Sequence, residues 1–162
     1  MSRIRPERPG DEAAIASVIE RAFGRPDEAR LVERLRADGD SVVSLVAEAE
    51  GELAGHVLLS RMSAPFRALG LGPVSVAPER QRSGVGAALI GDALALARSG
   101  GWDAAFVLGD PAYYGRFGFR ADLAACFASP YAGPYLMLLP LAPPLPAAGG
   151  RIDYPPAFAG LE

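Results

Sequence analysis

The chain has 162 residues, of which 50% are hydrophobic and 22% are charged, and its formal net charge is -3. This composition fits one domain over residues 1–162, with a core at about 3–140 and a Pro- and Gly-rich tail at 141–162. No basic block interleaved with aromatics is present, which excludes the usual pattern of nucleic-acid binding, and no apolar run reaches the roughly 18 residues of a membrane span. Because the single Cys126 cannot form an internal disulfide and residues 1–10 lack the apolar core of a signal peptide, we expect a cytoplasmic protein.

The first half of the chain contains helical and strand-like patterns in turn. Apolar residues recur at three- and four-residue intervals after Asp11, which can cap that helix, and again after Asp27, which opens a second one. Pro73 lies inside a strand-like run; because proline removes a ladder donor, it should mark an edge, a bulge or a place where neighbouring strands part. The predicted order is an edge strand at 2–5, two helices, hairpin strands at 42–48 and 53–60, and a strand at about 68–76.

The second half begins with an alanine-rich helix that follows Gly84 and stops at Gly100-Gly101. A short apolar strand is predicted at 104–108, and a last strand at 135–139. The order of elements predicts a mixed α/β domain with one crossover helix.

Residues 81–86, Gln-Arg-Ser-Gly-Val-Gly, join a predicted strand to that helix. A turn of this kind leaves backbone N–H groups unpaired at the positive end of a helix dipole, which suits a phosphate or pyrophosphate. A P-loop would need a lysine, and the chain has none. A dinucleotide fingerprint that started at Gly84 would need a third glycine where Leu89 stands. On the glycines alone, an ordinary tight strand-to-helix turn stays open.

The longer order is more specific: an apolar strand, a proline, Gln-x-x-Gly-x-Gly, a helix, a strand and then Tyr-x-x-x-Gly-Phe at 114–119. This order resembles the GNAT superfamily of acetyl-CoA-dependent N-acetyltransferases over roughly residues 3–140, and is most similar to a group of small, single-domain bacterial members. The resemblance implies a mixed, mostly antiparallel sheet flanked by helices, with splayed central strands. It implies acetyl-CoA as co-substrate and no metal.

The resemblance also implies a set of coenzyme-binding residues. The main chain of Val74 and Val76 would hold the pantetheine arm, and Asp110 stands near where the superfamily commonly has an asparagine. The side chains of Arg80 and Arg82 are either further contacts to the pyrophosphate or solvated surface charges. The pyrophosphate would be held by residues of the turn: Gln81, Arg82, Ser83, Gly84, Val85, Gly86 and Ala87.

The candidate catalytic residues are fewer. Tyr114 matches the superfamily tyrosine that faces the coenzyme sulfur, so we expect it to act as general acid, although a core aromatic is the alternative, and Tyr113 is a weaker candidate. A carboxylate base is missing from the strand before the turn, where only Ser75 is polar. The single histidine, His56, is either a base or proton relay or a structural residue, and water is the other choice.

The predicted activity is transfer of acetyl to an amine by direct attack in a ternary complex. No histidine stands near Cys126 in a recognisable pattern, so no acyl-enzyme step is expected. The alternative is a non-catalytic acyl-CoA-binding regulatory domain, favoured by the missing base and asparagine. The expected partner is a small-molecule or peptide amine, without nucleic acid or membrane, and a homodimer is left open.

Overall fold

The computed structural model describes residues 2–160, which form a six-stranded sheet with helices on both faces and a separate two-stranded sheet. The strands are β1 (Arg3–Pro6), β2 (Ser41–Ala49), β3 (Glu52–Arg61), β4 (Ala68–Val76), β5 (Ala104–Leu108), β6 (Phe127–Ala128), β7 (Leu136–Pro140) and β8 (Gly150–Arg151). The helices are α1 (Glu12–Phe23), α2 (Asp27–Ala37), α3 (Val85–Ser99), α4 (Pro111–Tyr114) and α5 (Ala121–Ala124).

The main sheet has the strand order β1-β2-β3-β4-β5-β7. Neighbouring strands are antiparallel except for β4 and β5, which are parallel and are joined by the crossover helix α3. A parallel pair needs such a crossover, whereas the two-residue turn at Glu50 (φ 55°) and Gly51 (φ 79°) suffices for the β2–β3 hairpin. The predicted mixed, mostly antiparallel sheet flanked by helices is therefore confirmed.

The start of α1 differs from the prediction. Asp11 occupies the N-cap position, but its side chain makes no capping hydrogen bond. Its carboxylate instead accepts from Arg5 Nη1 at 2.8 Å and from the Arg8 backbone N–H at 2.7 Å. The Arg5 guanidinium, followed by that backbone N–H, lowers the pKa of Asp11 to about 2. Asp11 thus ties the end of β1 to α1, because an arginine competes successfully for the carboxylate that would have capped the helix.

Alternation along the strands gives the sheet two apolar faces. One face packs against α3, and the other against α1, α2 and the C-terminal tail. The residues that face α3 include Leu45, Val57, Leu59, Leu69 and Val107. The opposite face includes Val46 and Leu58 under α1 and α2, and Phe106 and Leu138 under the tail. Burial on both faces explains why β5 is apolar throughout.

The strands β4 and β5 part in the middle of the sheet. Their pairing runs only from Ala68 opposite Ala104 to Leu71 opposite Val107. From Gly72 onwards β4 pairs with β3 alone, and the β3–β4 register shifts between Val57 and Leu59, opposite Gly72-Pro73. The prediction that Pro73 marks an irregularity where strands part is confirmed, and the predicted splaying of the central strands with it.

The C-terminal region, which the sequence pattern left unassigned apart from β7, folds back onto the sheet. The two-residue strands β6 and β8 pair in parallel, and Ile152 is fully buried beside them. Within residues 2–160, no helix combines the length and the hydropathy needed to cross a membrane.

Candidate active site

The turn between β4 and α3 forms a concave run of backbone. A 3-10 turn at Pro78–Arg80 follows β4, and α3 begins at Val85. Arg82 (φ 63°) and Gly84 (φ 89°) both have left-handed backbone, which is unusual for arginine. A left-handed residue next to an ordinary one turns successive N–H groups toward the same side of the chain, which is the geometry of an anion-binding nest.

The N–H groups of this turn are available for a ligand. Within the described residues, the N–H groups from Arg82 to Ala87 donate to no protein acceptor; the first helical bond runs from the Ala88 N–H to the Gly84 carbonyl at 3.0 Å. A Cβ on Gly86 would lie 3.4 Å from Val76 Cγ2 and 3.6 Å from the Tyr113 hydroxyl. Any longer side chain would fill this space, so the turn fits a pyrophosphate through its main chain.

Side chains hold the turn in place. The Gln81 Nε2 donates to the Val76 carbonyl at 3.2 Å, and the Ser83 hydroxyl donates to the Arg80 carbonyl. Arg80 Nη2 lies 3.5 Å from Glu50 Oε2, whereas Arg82 is exposed and forms no ion pair within residues 2–160. Gln81 and Ser83 therefore shape the backbone nest, and the Arg82 guanidinium is not engaged by a carboxylate there.

The edge of β4 next to the turn is free on the β5 side. From Gly72 to Val76 that edge has no strand beside it within the described chain. The side chains of Val74 and Val76 pack toward α3, so their main chain, rather than their side chains, lines the gap. An extended ligand arm could pair there as an additional strand.

Tyr114 belongs to an aromatic cluster beside the gap. Its ring lies against Gly109, where an added Cβ would be only 2.3 Å from Tyr114 Cε2, and its centroid is 5.0 Å from that of Tyr113 and 6.0 Å from that of Phe119. Burial, and then the nearby Tyr113, raise the pKa of Tyr114 above its ordinary value. The phenol is therefore protonated at neutral pH. The cluster is compatible with both the general-acid role and the core role predicted for Tyr114.

Asp110 is the N-cap of α4. Its Oδ1 accepts from the Ala112 backbone N–H at 3.0 Å, and Pro111 follows as the first helical residue. This is the capping alternative left open by the sequence. A contact between Asp110 and the coenzyme stays a prediction.

His56 is fully buried on the sheet face under α1 and α2. Its Nε2 lies 2.9 Å from Ser44 Oγ, and the Ser44 hydroxyl donates to Glu7 Oε1 at 2.6 Å. Because the one serine proton goes to Glu7, His56 Nε2–H must be the donor, which leaves Nδ1 unprotonated and without a partner within residues 2–160. Burial lowers the pKa of His56 to about 4, against the opposing pull of Glu7. His56 is thus neutral at physiological pH and sits opposite Ser75 on β4.

The polar chain continues from Ser44 to Glu7 and from there to Arg36 of α2. Burial alone would raise the pKa of Glu7, but hydrogen bonds from Arg36 and Ser44 hold that pKa below its ordinary value. Arg36 Nε and Nη2 donate to the two Glu7 oxygens at 3.0 and 3.1 Å. The hydrogen-bonded order is Arg36, Glu7, Ser44, His56, and it ends at His56. Ser75 is the cross-strand neighbour of His56, but within residues 2–160 its hydroxyl has no hydrogen-bond partner. This is the geometry of a buried structural network, and a proton relay through His56 stays a prediction.

A cavity of about 310 Å³ opens where β4 and β5 part. Its floor is formed by residues 71–73 of β4 and Leu108 of β5. Its walls come from α1, α2, the loop before β7 and the tail: Phe23, Glu28, Leu31, Tyr131, Tyr154 and Phe158. The cavity is on the helix α1–α2 side of the sheet, whereas the backbone nest is on the α3 side, so the gap between the strands has an entrance from each face.

Residues 3–121 match the family model described as the acetyltransferase (GNAT) domain. The chain belongs to the GNAT acetyltransferase family. It is 36% identical over 126 residues to a relative in Escherichia coli (strain K12) called "Uncharacterized N-acetyltransferase YhbS", across 75% of this chain and 74% of the relative. The crystal structure of Escherichia coli YhbS in complex with CoA is similar with a TM-score of 0.90 and 30% identity, covering 98% of this chain and 92% of that chain. A GNAT family acetyltransferase from Brucella melitensis, in complex with acetyl-CoA, has a TM-score of 0.83 and 36% identity, covering 98% of each chain.

The resemblance noted from the sequence is thus confirmed at the level of family and fold. The GNAT sheet places the predicted residues in two groups. The turn from Gln81 to Ala87, with Val74 and Val76, forms one continuous surface, and Tyr114 and Asp110 flank the same gap from the β5 side. His56 is separate from both, inside the face under α1 and α2.

Sequence reasoning missed two residues of the cavity wall. Glu28 is only 4% exposed yet lines the cavity, and in the sequence it was indistinguishable from the acidic residues common in a first helical turn. Tyr154 lies in the Pro-rich tail, and its hydroxyl is buried with no partner within residues 2–160. Burial, with Tyr131 and Tyr114 nearby, raises the pKa of Tyr154. No local pattern in the tail signals that contact, since it depends on how the tail folds back.

Proposed function

We propose that this GNAT chain transfers acetyl from acetyl-CoA to an amine by direct attack in a ternary complex. The observation that carries the proposal is the run of unpaired N–H groups from Arg82 to Ala87, next to the free edge of β4. Related GNAT structures with CoA or acetyl-CoA support the same donor. The nest would bind the pyrophosphate, and the main chain of Val74 and Val76 would bind the pantetheine arm.

In the proposed reaction the amine nitrogen forms a bond to the acetyl carbonyl carbon while the C–S bond breaks. A backbone N–H of β4 near Val76 would polarise the carbonyl oxygen. Tyr114 would stabilise the departing thiolate through a hydrogen bond and supply its proton. The pKa of Tyr114 is raised, whereas a thiol has a pKa of about 8.5. Complete proton transfer from Tyr114 to the thiolate is therefore unfavourable by itself, and a proton from solvent must then replace the one that Tyr114 gives. The attacking amine loses its proton to water, and a part for His56 as base or relay stays a prediction.

The experiment that tests this proposal combines coenzyme binding with product analysis. Acetyl-CoA should raise the melting temperature of the chain, and an amine should then release free thiol and appear as its acetamide by mass spectrometry. Binding of acetyl-CoA without acetamide from any amine would support the non-catalytic binding domain instead. Absence of any thermal shift with coenzyme A would refute the donor assignment itself.

We also propose that the reaction takes place in the cytoplasm, a proposal supported by the single cysteine, Cys126, which is exposed and free. The expectation of a homodimer stays a prediction.

A further inference from the structure

The cavity described above opens at the gap between β4 and β5, beside the proposed position of the pantetheine arm. Its floor, residues 71–73 of β4 and Leu108 of β5, is the point at which the two strands separate. Tyr114 packs against Gly109, the residue after Leu108. A nitrogen that enters from the cavity would therefore approach the thioester from the α1–α2 side, opposite the face that holds the backbone nest. The inference that follows rests on the proposed function, since it concerns the second substrate of that reaction.

Most of the cavity wall is aromatic or aliphatic. Phe23 and Leu108, two of the four large apolar side chains that are exposed in the described chain, both lie on it, with exposed fractions of 42% and 40%. Leu31, Tyr131 and Phe158 extend the same surface. Apolar surface left in water around a concave site is a source of binding free energy for an apolar ligand of matching size. At about 310 Å³ the cavity is at the lower end of the range for small-molecule sites, which favours a small acceptor.

One carboxylate gives this apolar cavity a charged position. Within the described residues, Glu28 is the sole carboxylate on the wall. Arg25 Nε donates to Glu28 Oε1 at 2.9 Å, and Arg25 Nη2 bonds the other oxygen. Each oxygen keeps a further lone pair, and Arg25 itself is half-exposed and does not line the cavity. The carboxylate is therefore held rigidly while it can still accept from one ammonium group.

We propose that the acceptor is a small primary amine with an apolar, ring-sized body, and that Glu28 binds its ammonium group before one proton passes to water and the neutral amine attacks. A polyamine would need several carboxylates, and an amino sugar would need many hydrogen-bonding groups. The wall offers one carboxylate and the phenols of Tyr131 and Tyr154. Glu28 is thus a binding residue for the acceptor, and the apolar wall selects what is attached to the amine.

The first experiment compares kcat/KM for thiol release at saturating acetyl-CoA with four acceptors: 2-phenylethylamine, spermidine, glucosamine and a lysine-containing peptide. We expect 2-phenylethylamine to exceed the others by a factor of about ten or more, from burial of its ring. A higher value for any of the other three would overturn the inference while leaving the proposed transfer intact. If no acceptor releases thiol, the same four are compared by thermal shift of the acetyl-CoA complex. Absence of a preferential shift with 2-phenylethylamine then overturns the inference.

The second experiment uses two matched pairs. Phe23→Gln should raise KM for 2-phenylethylamine about tenfold, whereas Leu96→Gln should leave it unchanged, because Leu96 is equally exposed (47%) but lies away from the cavity. Glu28→Gln should weaken binding of 2-phenylethylamine about tenfold and leave binding of 2-phenylethanol, which has no ammonium group, unchanged. Equal loss for amine and alcohol would overturn the role of Glu28. Neither Phe23→Gln nor Glu28→Gln should alter the thermal shift with acetyl-CoA. Failure of the donor assignment, which would remove that shift, is therefore distinguishable from failure of the acceptor inference.

Discussion

The backbone nest and the cavity occupy opposite faces of the same gap between β4 and β5, and they differ in the groups that form them. The nest is main chain from seven consecutive residues, 81–87, fixed by left-handed backbone at Arg82 and Gly84. The cavity is made of side chains from both central strands, two helices, a loop and the tail. A substitution replaces a side chain but keeps the main-chain N–H groups, so the nest can go on binding the same proposed coenzyme. The side chains of the cavity can be replaced, so they determine which acceptor binds.

The largest expected effect comes from placing a charge in the nest. Gly86→Glu should abolish binding of acetyl-CoA, with at least about a hundredfold loss, because its carboxylate would meet the pyrophosphate and its stem would displace Val76 or Tyr113. Isothermal titration measures this loss. Gly91→Glu is the matched control: it lies on the same helix, exposed and with open space around it, and should bind normally. Normal affinity in Gly86→Glu would move the coenzyme site elsewhere.

Next in size is the effect on chemistry at the gap itself. Tyr114→Phe should lower kcat about a hundredfold, with KM for acetyl-CoA nearly unchanged, since it removes one hydroxyl and keeps the ring. Tyr135→Phe, at an exposed tyrosine away from the cavity, should have no effect. Because the pKa of Tyr114 is raised, its contribution should persist up to pH values above its ordinary pKa and be lost only as pH rises further. Unchanged kcat would assign Tyr114 to the core.

A smaller effect is expected on the free energy of unfolding at low pH, and it comes from His56, on the face under α1 and α2. The pKa of His56 falls from 6.5 in the unfolded chain to about 4 in the folded one, so the unfolded chain binds the extra proton between these values. Stability that is complete above pH 6.5 should be lost as pH falls, at up to ~1.4 kcal/mol per pH unit. Urea unfolding between pH 7 and 4.5 measures it. His56→Gln, which can still donate to Ser44, should flatten this dependence, and an unchanged slope in that variant would contradict the assignment.

The smallest effect concerns how the nest is held. Gln81→Ala removes the 3.2 Å hydrogen bond to the Val76 carbonyl at an exposed position. We expect about a threefold weaker binding of acetyl-CoA, as for loss of one neutral hydrogen bond, without a change in KM for the acceptor. Steady-state kinetics with both substrates varied would check both parameters. A rise in acceptor KM would show that the two faces are not independent.

The same contrast explains what could be predicted from the sequence. The nest, the strand before it and the helix after it are contiguous in sequence, so Gln81, Gly84 and Gly86 were visible as a pattern. Pro73 likewise predicted the separation of the strands. The pattern did not show that Arg5 competes with the helix N-terminus for the Asp11 carboxylate, which accepts from Arg5 and does not cap the helix. Glu28 and Tyr154 could not be found, because they reach the cavity through α2 and through a tail whose path depends on tertiary packing. Nor does spacing show that His56 is enclosed.

Hydrogen–deuterium exchange with and without coenzyme A shows whether backbone N–H groups of the nest bind the coenzyme. We expect slower exchange for amides of residues 82–87 on adding coenzyme A, and little change for residues 23–31 on the cavity side. Unchanged exchange at 82–87 under saturating coenzyme A would contradict this binding.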